Sequence, residues 1–312
     1  MYRKTTHCFA ITAVLHGIIS CFSSTPDSLS LEQRVLSDTC VISDTVATKN
    51  GILHPGDEVP MSGNDTLHAV VQDFIPADTV RFPGDSLRYR RIPNHAFGVG
   101  EVLKFEIAYG LIKAGTAVMA IPDTQWVNGR PCYRIITMAK SNDFFDVFYK
   151  VRDKIQSLVD IEGLFTWKFE KHLREGHYRA DREEIYDQEN HLVYTHKDTL
   201  SVPPFIQDIL ASFYYTRTVP LTVGQHFEIK NFGDGKVYPL KVLVHKKEEI
   251  KVPAGKFKCI VVEPVLQDEG LFKQEGRLRI WLTDDDRRIP VLMKSKIVVG
   301  SIDVRLTGIE YN

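Results

Sequence analysis

The sequence predicts a mainly β fold, a single curved antiparallel sheet or open half-barrel meander with one or two short helices covering its mouth. Two observations carry this expectation. Beyond Phe97, apolar and polar residues alternate with the period of two required of a strand with one face on a core. Turn-forming residues separate the alternating runs at short intervals, and no helical crossovers lie between them, so neighbouring strands pair antiparallel. A doubly wound α/β fold is excluded.

Leu103, Phe105, Ile107 and Tyr109 share one face of the first expected strand, while Lys104 and Glu106 take the other. The pattern returns at Ala117–Ile121, Tyr133–Met138, Leu164–Glu170, Lys241–Val244, Phe257–Val262, Leu278–Leu282, Ile297–Val299 and Ile302–Leu306. Asn128-Gly129, Glu175-Gly176, Gly233-Asp234-Gly235, Pro253-Ala254-Gly255, Asp284-Asp285-Asp286 and Gly300-Ser301 supply turn chemistry between them. Two segments break the alternation. Asp143 to Lys150 fits a short helix, and Pro203 to Thr216 fits a better one. There Ser201 can cap, Pro203 and Pro204 suit the first turn, and Ile206, Ile209, Leu210 and Phe213 follow helical spacing. Such a helix is expected to lie over an open face of the sheet.

With 312 residues and 43% apolar content the chain can bury a large core. Residues 1–21 have the layout of an export signal, with Arg3 and Lys4 ahead of an apolar run from Cys8 to Ile19 that is too short to span a bilayer. Ile18-Ile19-Ser20-Cys21 resembles a lipobox in which Cys21 is acylated, and ordinary cleavage fits equally well. Residues 22–95 are rich in Ser, Thr, Asp, Pro and Gly, carry 6 basic against 10 acidic residues, and read as a disordered acidic tether. Residues 96–312 form the β-rich domain, with 31 basic against 30 acidic residues. So even a balance lacks the long-range positive field that drives binding to nucleic acid or anionic lipid; membrane contact is expected only through an N-terminal lipid anchor. Cys132 and Cys259 fall in separate β-patterned segments and read as small buried hydrophobes, although spacing does not decide whether they pair.

Candidate chemistry is sparse. His172, His177, His191 and His196 cluster in one expected hairpin but match no zinc spacing, and Asp284-Asp285-Asp286 lacks the spaced ligands of a calcium loop. No nucleophile elbow, phosphate loop or cofactor motif occurs. Asp208 and Arg217 sit about 180° apart around the second helix, so each needs partners from the sheet. Leu278, Ile280 and Leu282 share a face. This puts Trp281 on the other face with Arg277, Arg279 and Thr283, either lining a groove for an amphipathic ligand or covered by the helix or a loop. Trp167, with Phe165 and Phe169 on its own face, reads as core.

Several stretches resemble one known family. They are Phe97-Gly98-Val99-Gly100-Glu101-Val102-Leu103-Lys104-Phe105, Lys113-Ala114-Gly115, Phe148-Tyr149-Lys150-Val151-Arg152-Asp153, Tyr214-Tyr215-Thr216-Arg217, and Ile280-Trp281-Leu282-Thr283-Asp284-Asp285 with Arg288-Ile289-Pro290-Val291. In order and across nearly the whole domain they are similar to the bacterial exported family termed domain of unknown function 3108. The resemblance implies a β-domain in a Gram-negative envelope, periplasmic or attached to the outer membrane as a lipoprotein, and no reaction. The plan also looks like the lipoprotein-carrier half-barrels.

Three functions are therefore expected in turn. The first is a non-enzymatic binding module holding a lipid-like or amphipathic molecule in the sheet's concavity, gated by the second helix, with Trp281, Arg277, Arg279, Arg217, Tyr214 and Tyr215 contacting it. The second is an interaction or assembly protein docking another envelope component by a sheet edge or the acidic turn. The third is a carbohydrate-active enzyme stacking sugar on Trp281, which needs two carboxyl groups roughly 5 to 10 Å apart across a cleft. No cofactor or metal is expected.

Overall fold

The computed structural model describes residues 89–266, 278–296 and 301–311. The expected signal with Cys21, most of the tether, Arg277 and the strand expected at Ile297–Val299 lie outside these residues. Strands β1 (Glu101–Tyr109), β2 (Ile112–Ala120), β3 (Thr124–Val127) and β4 (Arg130–Ser141) precede a one-turn helix, α1 (Asp143–Asp146). Then come β5 (Arg152–Asp160), β6 (Thr166–Glu175), β7 (Tyr178–Asp187), β8 (Leu192–Tyr194) and β9 (Thr199–Ser201). Helix α2 (Ile209–Thr216) leads to β10 (His226–Gly233), β11 (Lys236–Val252), β12 (Gly255–Leu266), β13 (Leu278–Thr283), β14 (Pro290–Lys296) and β15 (Ser301–Tyr311).

All the strands join one antiparallel sheet, in the order β10-β11-β12-β13-β14-β15-β1-β2-β4-β5-β6-β7-β8-β9, with β3 paired only to β4. Two sequential meanders are thus stitched together where β15 runs beside β1 from Tyr311 opposite Glu101 to Ile302 opposite Tyr109. The sheet does not close into a barrel. It curls far enough to bring its two ends near each other: the rings of Tyr186 on β7 and Phe232 on β10 lie 5.9 Å apart, and Arg182 on β7 reaches Asp234 in the β10–β11 turn at 2.8 Å.

Helix α2 occupies the concave face and begins later than its spacing suggests. Ser201 ends β9 and Asp208 is the cap, its carboxylate accepting from the backbone N–H groups of Leu210 (2.7 Å) and Ala211 (3.0 Å). Prolines 203 and 204 suit an extended segment as well as a first turn, and here the extended segment wins because it covers a sheet edge. Gln207 N–H donates to Lys230 O at 3.1 Å, and Phe232 N–H on the same strand, β10, donates to Gln207 O at 2.8 Å. The first helix likewise stops at Asp146, capped by Asn142, short of the expected Lys150.

One core fills the concavity, with Leu103, Phe105, Ile135, Val262, Ile280 and Leu306 among its buried members. Trp167 is buried as expected, yet with Phe165, Cys132 and Leu158 in a satellite cluster, whereas Phe169 joins the main core. Cys132 and Cys259, on β4 and β12, are buried and unpaired thiols.

Both ends of α2 are tied to the sheet by buried charge. At its start Asp208 also accepts from Ser157 Oγ (2.5 Å, on β5) and Thr166 Oγ1 (2.6 Å, on β6). At its end Arg217 forms two parallel bonds to Glu101 of β1, Nη1 to Oε1 at 2.7 Å and Nη2 to Oε2 at 2.8 Å, and both side chains are almost wholly shielded from solvent. Arg217 also donates to Ala96 O at 3.0 Å and lies over the rings of Phe97 and Tyr214. Removing one partner of such a pair strands the other charge in the core. Arg217→Met is therefore expected to lower the unfolding free energy by about 3–5 kcal/mol in urea titration, and the Glu101→Leu/Arg217→Met double variant to lose less than the sum of the single changes. Strict additivity would refute the clamp.

Candidate functional site

The residues that sequence reasoning grouped around a ligand are dispersed by the fold. Tyr214 and Arg217 lie in the packed interior. Tyr215 is half-buried beneath the Arg90 guanidinium, 5.3 Å from its ring centre. Trp281 and Arg279 lie on β13, on the opposite face from Ile280 and Leu282, as the alternation predicts. Trp281 is only 8% exposed, and its Nε1 donates to Glu248 Oε1 at 2.7 Å. Arg279 Nε donates to Glu263 Oε2 at 3.4 Å, and the same carboxylate oxygen is 2.7 Å from His245 Nε2. The polar atoms of this face are thus largely engaged with one another.

Three of the five family-like stretches converge at the Arg217 clamp, while Lys113–Gly115 and Phe148–Asp153 lie by the loops around Asn142. Phe97 and Glu101 come from the first, Tyr214 and Arg217 from the helix, and Arg288 from the last, its Nη1 donating to Arg217 O at 3.2 Å. In the same turn Asp285 accepts from Thr283 Oγ1 (2.6 Å) and the N–H groups of Arg287 (3.1 Å) and Arg288 (3.0 Å), while Asp284 pairs with Lys247 at 2.9 Å. His172 pairs with Asp181 at 2.7 Å, while His177, His191 and His196 are exposed. Among the described residues no three His, Cys, Asp or Glu come together to hold a metal ion.

A polar pocket in the core went unforeseen. Glu184 on β7 is buried and accepts from Tyr186 OH at 2.8 Å, with Asp208, Lys171 and Asp234 around it. Burial raises its carboxyl to about 7; the Tyr186 bond opposes the shift and the nearby Asp208 charge adds to it. Burial also raises Asp208, against its bonds from Ser157 and Thr166, and lowers Lys171, against the attraction of Asp234 3.7 Å away. Alternation along a strand puts the adjacent Glu183 and Glu184 on opposite faces, and Glu184 takes the buried one.

Between α2 and the sheet lies an apolar groove. Ile209, Ser212, Phe213 and Thr216 form one wall, and Leu240, Val242, Val262, Pro264, Ile280 and Leu282 form the other. Its cavity is about 20 Å³, which holds one water-sized sphere.

Several large apolar side chains are exposed together at one end of the sheet. Leu111 (100% exposed) lies in the β1–β2 turn, Ile112 (55%) opens β2, and Phe144 (63%), Val147 (80%) and Phe148 (64%) lie on and just after α1. The two loops are neighbours: Asn142 donates through its N–H to Ala114 O at 2.9 Å and through Nδ2 to Lys113 O at 2.7 Å. A third loop, the β6–β7 turn, adjoins them, since Gly176 N–H donates to Lys150 O at 2.8 Å and Tyr178 is 45% exposed. A side chain on Gly176 would strike the Tyr149 ring, so glycine lets the two loops meet.

Residues 104–307 match the family described as protein of unknown function (DUF3108). The chain belongs to this family. No curated protein matches the DUF3108 chain in sequence. Among solved structures it is similar to a β-barrel-like DUF1849 protein from Brucella abortus, at 11% identity and TM-score 0.46 over 69% of this chain and 98% of that one. It is also similar, at 11% identity in each case, to a candidate lipoprotein from Parabacteroides distasonis (TM-score 0.31; 68% and 95% covered) and a candidate exported protein with a YmcC-like fold from Bacteroides fragilis (TM-score 0.32; 70% and 98%).

The Glu184 carboxyl, raised when folded, holds its proton more tightly than in the unfolded chain, so its contribution to stability falls as pH rises from about 4.5 toward 7. Glu184→Gln is expected to flatten that part of the melting-temperature profile and to stabilise the domain at pH 8 by about 1–2 kcal/mol. An unchanged profile would show that the carboxyl titrates normally.

Proposed function

We propose that this DUF3108 protein is an exported envelope protein that works without catalysis, by docking its apolar rim onto another component of the envelope. One observation carries the reading: Leu111, Ile112, Phe144, Val147 and Phe148 stand in solvent together on adjoining loops, whereas Trp126 is exposed at the far end of the sheet. Contiguous exposed apolar surface is uncommon on a free-standing domain and marks an interaction site. Export is supported by the basic start, apolar run and lipobox-like Ile18–Cys21 at the N-terminus. The rim is favoured over the sheet edge and acidic turn first expected, because Gln207 covers part of the edge of β10 and Asp284 and Asp285 have partners of their own.

A second reading has its own observation. The groove under α2 is apolar on both walls, so a single alkyl chain could lie along its mouth with the pinned helix as a fixed wall. In that reading Trp281 and Arg279 meet a different part of the ligand or none, since they lie on the opposite face of β13 from Ile280 and Leu282.

A photo-crosslinking residue placed at Leu111 or Phe148 in growing cells is expected to capture an envelope component, whereas one at the distant, exposed Lys251 captures none. Equal yields at all three positions would defeat the docking reading. Lipid recovered from natively purified protein, and lost on Val262→Trp, would favour the groove.

A further inference from the structure

We infer that the rim's partner is the surface of an anionic phospholipid bilayer, into which the tips of the β1–β2 and β4–β5 loops insert. This rests on the docking reading and names its partner. The first argument is shape. The apolar side chains are exposed on adjoining loops at one end of the sheet, and a bilayer needs no complementary cavity to receive them. The Phe144 ring stands edge-on to Phe145 at 5.4 Å and to Phe148 at 5.7 Å, and Phe145 in turn packs against the core, so the tip is a braced aromatic wedge.

The second argument is charge. Lys140, Lys150 and Arg179 are exposed around the rim with Lys113, which lies 3.9 Å from Glu106, and Asp143 is the exposed acid on α1. The remaining acid of that helix, Asp146, is neutralised by Arg152 at 2.5 Å. Apolar tips bordered by basic residues are the pattern by which proteins enter the boundary between headgroups and acyl chains, with each nearby lysine adding attraction to anionic lipid. The chain's even overall charge conceals this local excess, which is why composition pointed away from membrane contact.

The third argument is reach. The described chain starts at Tyr89, and Ile92 N–H donates to Glu162 O at 2.8 Å in the β5–β6 turn, at the end of the sheet away from the rim. The 67 residues from Phe22 to Arg88 can extend about 220–240 Å. A chain held in a membrane at Cys21 can therefore bring the opposite end of its domain down onto that membrane.

The test uses the exported chain carrying Cys21→Ser, so that no acyl anchor contributes, and sedimentation with vesicles of phosphatidylglycerol and phosphatidylethanolamine or of phosphatidylcholine alone. Binding is expected to the anionic vesicles, to weaken in about 0.5 M salt, and to fall at least about tenfold in Phe144→Ser/Phe148→Ser. Lys140→Glu/Lys150→Glu is expected to weaken binding to anionic vesicles while leaving the melting temperature unchanged, which separates lost contact from lost folding. No binding to anionic vesicles, or equal binding by the serine variant, would overturn the inference. If rim-specific protein crosslinks persist in cells under that outcome, the docking reading stands with a protein partner. If they too are absent, both readings fall.

Discussion

The fold turns on the burial of charge at the two ends of α2. A sheet of this curl leaves a concavity too polar to be filled by apolar side chains alone, because Glu101, Ser157, Thr166 and Glu184 face buried surroundings. An eight-residue helix is marginal in isolation and gains its order from tertiary contacts. Here Asp208 binds two strands and the helix's own first N–H groups, and Arg217 binds β1 and the β13–β14 turn. Each tie satisfies groups that would otherwise be stranded on both partners. The core, the edge of β10 and the groove wall are all placed by these two contacts.

How far this was legible in sequence depends on what each residue had to satisfy. Strands whose inward positions are apolar, such as β1 and β13, announced themselves by alternation. Strand β5 did not, because Asp153 and Ser157 take inward positions and bond to Arg174 N–H and Asp208, which interrupts the apolar period. The start of α2 was misplaced because prolines fit an extended edge-covering segment and a first helical turn alike. Arg217 was singled out and correctly judged to need a partner from the sheet. Its function as a clamp depends on Glu101, 116 residues away, which no local pattern reveals. The rim was hidden for the opposite reason, since Phe144, Val147 and Phe148 fall within the short helix expected over Asp143–Lys150, and no local pattern says that its apolar side chains stay exposed.

The two kinds of site follow different physics. Around Trp281 the polar atoms find partners within the protein, so the face is settled as it stands. At the rim the apolar groups keep more than half of their surface in water, which must organise around them at a standing cost in free energy. Aromatic bulk concentrated on loops braced by Asn142 and Gly176 gives a rigid projection in place of a pliable one, and rigidity lowers the entropy lost on contact.

The pairing of β15 with β1 places the first and last strands side by side. Until the C-terminal eleven-residue strand is present, β1 has a neighbour on one side only, and the two meanders have no shared seam. A chain emerging from its N-terminus thus accumulates hairpins yet has no complete sheet before its final residues arrive. Such distant partnering slows folding, because the entropy of closing a loop of about two hundred residues is lost before the seam between the two meanders forms.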